Sequence, residues 1–127
     1  MPLLVPISDG ELLDKISILE IKAAAIGDPA KRANVRHELA ALEAVRGREV
    51  AGLAELPALY AELKAINQQL WQIEDEIRER ERSGQFDGGF IELVRSVYRT
   101  NDRRAVLKRR INQMTGSEIV EEKSYVL

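Results

Sequence analysis

Between Arg95 and Asn112 the sequence sets polar residues on what should be the apolar stripe of a helix. Val94, Val97, Tyr98, Ala105 and Ile111 recur at helical spacing, and Asn101, Arg104, Lys108 and Asn112 fall on that same stripe. A charge or amide buried without a partner costs several kcal/mol. Such a helix therefore faces a polar partner or lines a site.

A second set lies some thirty residues earlier. Tyr60, Lys64, Asn67, Trp71, Glu74 and Arg78 are spaced by four and three, so they share one helical face. Glu74 and Arg78 are an ordinary i,i+4 surface pair, and Trp71 suits a core edge with its N–H satisfied. If this helix lies antiparallel to the next, Asn67, Glu74 and Arg78 are expected to meet Asn101, Arg104 and Lys108 in one network beside Trp71. Glu74 is then the expected carboxylate partner. Near the N-terminus, Lys15 and Lys22 lie seven apart on one face, with Asp14 beside them. They read as a snorkelling flank, and Lys15 is a candidate for adding positive charge to a pocket. The candidate ligand-binding set is thus Lys15, Asn67, Trp71, Glu74, Arg78, Asn101, Arg104 and Lys108.

The stretch from Arg95 to Asn112 carries seven basic residues against the single Asp102, whereas Glu118, Glu121 and Glu122 outweigh Lys123 in the tail. Internal neutralisation by the tail or by the acidic end of the preceding helix is the economical expectation. An anionic ligand is the functional one, because arginine forks suit phosphate and carboxylate. A net charge of −2 lowers a nucleic-acid reading.

Several chemistries fall away. His37 is the only histidine and cysteine is absent, which nearly excludes His-rich or thiolate zinc sites and Ser-His-Asp triads. Asn34, three before His37, does not give the Glu-x-x-His turn of di-iron bundles. No phosphate loop or dinucleotide fingerprint occurs. Glu11/Asp14 and Glu76/Glu79 have the spacing of helical pyrophosphatase carboxylates, but in the wrong order. No metal and no cofactor is expected, and no catalytic residue stands out.

The elements that must position these residues are helices. Charged residues make up 31% of the 127 and aromatics only 5%, a balance that suits a helical bundle better than a sandwich or barrel. Ser8 and Glu11 form a capping box that opens a helix running to about Ile26, where Gly27 can stop it in the left-handed conformation. Asp28 and Pro29 open a second helix that weakens through Gly47 and Gly52. Pro57 begins a third, with Leu59, Leu63, Ile66, Leu70, Ile73 and Ile77 as a clean stripe to Arg82, closed by Ser83-Gly84. Asp87 caps the fourth, which ends near Gly116. The expected fold is all-α: an antiparallel four-helix bundle in one domain over 1–127, with long third and fourth helices. Residues 1–7 and 117–127 flank it as short segments that could be extended, pair as a ribbon, or lie across the bundle. The apolar start is too short for a signal peptide and nothing approaches a membrane span.

The segments Gly10 to Lys22, Leu70 to Arg78, Ser96 to Ala105 and Ser117 to Tyr125 resemble a bacterial protein family of unknown function across nearly the whole chain. That resemblance implies a bacterial cytoplasmic protein and transfers no catalytic residue. Two readings follow. The first is a small helical binding or scaffolding protein, self-associating as a homodimer, whose polar face on the third and fourth helices engages a partner. The second is a binder or enzyme holding a small phosphorylated or carboxylated substrate in an Arg/Lys-lined pocket.

Overall fold

Four helices make up the computed structural model, which describes residues 2–50 and 52–123: α1 (Asp9–Ala25), α2 (Pro29–Glu49), α3 (Leu56–Ser83) and α4 (Gly88–Thr115). No strand occurs among the described residues. The caps fall where the sequence puts them. Ser8 Oγ accepts from the Glu11 N–H, Asp28 Oδ2 from Lys31 and Asp87 Oδ1 from Phe90, and the left-handed Gly84 and Gly116 close α3 and α4. Gly27 is the exception. Ile26 ends α1 in an extended conformation, donating its N–H to Lys22 O, and Gly27 has no positive φ. The chain leaves α1 straight into Asp28-Pro29, where proline biases the preceding residue to extended backbone, so no left-handed turn is needed.

The two hairpins pack through one helix. α1 contacts α2, α3 and α4, whereas α2 packs mainly along α1 and has no fully buried residue. Leu12, Leu13 and Ile16 of α1, Leu56, Leu59 and Leu63 of α3, and Leu107 and Ile111 of α4 form the core, with Leu39, Leu42 and Val45 of α2 against its edge. Each fully buried Leu or Ile contributes about 1.5–3 kcal/mol. Arg46 of α2 also lies over the Tyr60 ring at 4.7 Å. Glu20 reaches Tyr60 and Lys64 while Ile18, on the opposite side of α1, borders Leu70, Trp71 and Glu74. The first helix therefore lies across α3 instead of along it.

Length decides what remains open. At 1.5 Å per residue α1 spans roughly 25 Å and the 28-residue α3 and α4 roughly 42 Å. The antiparallel α3–α4 hairpin thus runs past α1, leaving Phe86, Ile91, Val94 and Tyr98 exposed. On its back, Ala65, Ile66, Val106 and Leu107 line a shallow apolar groove flanked by Glu62 and Arg103. Residues 2–7 are exposed and form no ribbon, and the described part of the tail lies along α4.

The start of α1 is capped by α4. Asp9 N–H donates to Ser117 Oγ at 3.1 Å, Gly10 N–H to Asn112 Oδ1 at 2.6 Å, and Leu12 N–H to Ser8 O. With the Ser8–Glu11 bond, the N–H groups of Asp9, Gly10 and Glu11, which no helical carbonyl can reach, all have partners. Gly10 permits this approach: a Cβ there would lie 2.5 Å from Lys108 O and 2.9 Å from Asn112 Oδ1. Gly47, inside α2, faces open space. Gly10→Ala should therefore lower unfolding free energy in urea by roughly 1–3 kcal/mol, an overpacking cost. Gly47→Ala should be neutral or raise stability by up to ~1 kcal/mol. Equal effects would contradict the close approach.

Candidate functional site

The polar stripe of α4 is met by carboxylates of α1. Asp14 is 1% exposed. Its Oδ1 accepts from Arg104 Nε at 3.0 Å and from Asn67 Nδ2 at 2.8 Å, while its Oδ2 accepts from Arg104 Nη2 at 2.5 Å. Asn67 also donates to Ser17 Oγ, which donates in turn to Asp14 O. Lys108 Nζ sits 2.5 Å from Glu11 Oε2 and 3.8 Å from Asp14 Oδ2. One buried carboxylate thus joins α1, α3 and α4. Among the described residues no buried side-chain N or O lacks a partner. Asp14 raises the Arg104 pKa above its ordinary value, chiefly by accepting its hydrogen bonds, against the opposing effect of burial. A raised arginine keeps its charge as pH rises through the neutral and mildly alkaline range, so the pair persists there.

This arrangement corrects the partner expected for Arg104 and Lys108. Glu74 is not that carboxylate; it reaches only Arg78, at 3.8 Å on an exposed face. Asn67 and Arg104 do come together, but through Asp14. The reason is the transverse α1, whose apolar residues on every side (Leu12, Leu13, Ile16, Ile18, Leu19, Ile21) mark a central helix. A carboxylate that falls among those apolar residues is buried, as Asp14 is. That pattern is the signal by which Asp14 could have been found in the sequence instead of being left on a snorkelling flank.

The polar line of α3 faces α1 and then outruns it. Glu20 takes its first two members, accepting from the Tyr60 hydroxyl and lying 3.0 Å from Lys64 Nζ. Asp14 takes the third, Asn67. Beyond them a cavity of about 340 Å³ opens between the helices, lined by Ile18, Asn67, Leu70, Trp71, Glu74, Asp75, Arg78, Asn101 and Arg104. Six of the eight candidate residues line it: Asn67, Trp71, Glu74, Arg78, Asn101 and Arg104. Lys15 does not; it is exposed and pairs with Glu11 at 3.6 Å. Lys108 is committed to Glu11. Leu70 comes from the apolar stripe of α3, and Asp75 and Ile18 are lining residues that neither the stripe nor the polar line includes.

The chemistry of this cavity is binding chemistry. Arg104 uses Nε and Nη2 on Asp14 and Nη1 on Asn101 Oδ1 at 3.3 Å, so two of its five N–H donors are not used in these bonds. Glu74 and Asp75 outweigh Arg78 by one charge, and the Arg104 charge is already offset by Asp14. His37, the one histidine, is exposed on α2, away from the site. Among the described residues no group of three or more His, Asp or Glu is arranged to hold a metal ion, and no helix is long and apolar enough to cross a membrane.

The geometry separates the two carboxylate pairs energetically. Arg104→Ala leaves Asp14 buried without its main counter-charge and should cost about 3–5 kcal/mol in urea unfolding. Glu74→Ala breaks an exposed pair and should cost less than about 1 kcal/mol. The reverse order would restore Glu74 as the structural partner.

Against known proteins, no curated protein and no solved structure is significantly similar to the chain. A family model described as a family of unknown function (DUF6165) matches residues 3–127. With the match running over nearly all of its length, the chain belongs to that family of unknown function, DUF6165.

Proposed function

We propose that this chain is a binding or scaffolding protein whose site is the α3–α4 cavity, and that its partner presents a polar segment bearing both signs of charge. The observation that carries the reading is the open second half of the α3 polar line. Trp71, Glu74 and Arg78 face a cavity that α1 borders only through Ile18, over a floor fixed by Asp14, Asn67 and Arg104. Preorganisation of that kind lowers the entropic cost of binding. In this reading Glu74 and Asp75 receive a cationic group, the Trp71 face stacks against it, and the spare donors of Arg104 bind a carbonyl or carboxylate. Lys15 and Lys108 play no direct part.

The competing reading, a small anion held in an Arg/Lys pocket, has less support. Asp14 and Glu11 already neutralise Arg104 and Lys108, and the two carboxylates on the wall repel a phosphate.

Trp71 is the only tryptophan, so tryptophan emission, excited selectively over tyrosine, reports this cavity. Titration with short peptides of mixed lysine and glutamate should change that emission saturably. The response should fall in Glu74→Gln and Asp75→Asn, and persist in Lys15→Ala. Saturable change with inorganic phosphate or sugar phosphates, and none with the peptides, would overturn the reading in favour of the anion site.

A further inference from the structure

The back of the α3–α4 hairpin carries charges that the rest of the fold leaves unanswered. Its groove is lined by α3 and α4 alone, with Ala65, Ile66, Val106 and Leu107 as the floor and Glu62 and Arg103 on opposite rims. Val106, at its centre, is 43% exposed. Arg103 donates only to neutral groups, Gln69 Oε1 at 3.3 Å and Thr100 Oγ1 at 3.2 Å. Arg110 follows seven residues later in α4, hence on the same face. Among the described residues Glu62, Arg103 and Arg110 have no oppositely charged partner.

This surface is complementary to itself. Arg103 meets Gln69 across the antiparallel hairpin, so seven residues back along α3 and seven on along α4 bring Glu62 level with Arg110. A two-fold axis running along the groove places α3 of one copy over α4 of the other at the same height. Glu62 of each copy then falls beside the partner's Arg103 and the partner's Arg110, and the apolar floors face each other. A two-fold axis across the groove stacks α4 on α4 instead and sets arginine against arginine, which repel. The size also fits. The face of two 28-residue helices is about 42 Å long and about 20 Å wide, or about 800 Å² per copy. A standard stable interface buries about that area on each partner.

We infer that the groove is the interface of a two-fold dimer in which α3 of each copy lies on α4 of the other. Ile66, Val106 and Leu107 form its dry centre, and Glu62 with the partner's Arg103 and the partner's Arg110 forms a charged rim on either side. The occupant is a second copy because each copy carries both halves of the charge pairing, on opposite rims of one groove. Trp71, Glu74 and Arg78 lie on the other side of the hairpin, so the dimer leaves both cavities open, whatever they bind.

Sedimentation velocity on the full chain at high micromolar concentration should give twice the 14.3 kDa chain mass. Glu62→Arg alone, and Arg103→Glu with Arg110→Glu, should each raise the dimer dissociation constant at least about tenfold, because each sets like charges against each other. All three substitutions in one chain exchange the rims and should restore wild-type association. The three sites are exposed, and unchanged helical circular dichroism checks that each variant stays folded. A monomeric wild type, association unaffected by either reversal, or a triple variant as weak as the reversals would overturn the interface.

Discussion

A carboxylate taken out of water has to be paired, and Asp14 is taken out almost completely. That requirement organises the molecule. Arg104 answers it from α4 and Asn67 from α3, so the residue that is costliest to bury becomes the point where three helices are registered. Apolar packing alone would tolerate some sliding of α1 over the hairpin. The hydrogen bonds of Asp14, and the capping of the α1 N-terminus by Asn112 and Ser117, leave α1 little freedom to slide.

From this follows the division of α3. Its polar face is a single line in the sequence, yet the carboxylates of α1 bind only the first half. Tyr60, Lys64 and Asn67 are held by Glu20 and Asp14, whereas Trp71, Glu74 and Arg78 look onto a cavity. The same geometry accounts for the charge of α4. Its cations are met from three sources: Asp14 and Glu11 of α1, Glu122 of the tail, and Glu92 of its own first turns. A helix that looks like an anion receptor in sequence is largely neutralised in the fold.

How much of this was legible depends on the range of the signal. Helix ends were readable because caps are local: Ser8, Asp28, Asp87, Gly84 and Gly116 act within a few residues of themselves. Gly27 misled because the following proline makes a left-handed turn unnecessary. That α4 needs polar partners was readable from Arg104 and Lys108 on its core stripe. Which carboxylate supplies them was not, because Asp14 is 90 residues away in the chain and the choice rests on how α1 crosses the hairpin. Glu74 was the nearer guess, on the helix next in sequence. The candidate cavity was partly visible for the same reason: a four-and-three spacing shows which side chains share a face, and not where a crossing helix stops covering them.

The dependence on Asp14 is best measured by a double-mutant cycle. Unfolding free energies of the wild type, Asp14→Ala, Arg104→Ala and the double variant isolate the coupling between the two side chains. The account predicts a coupling of about 2–3 kcal/mol, with the double variant less destabilised than the two single variants added together. A coupling below about 0.5 kcal/mol would mean that the two residues contribute independently, and would contradict the buried pair as the point on which the three helices are fixed.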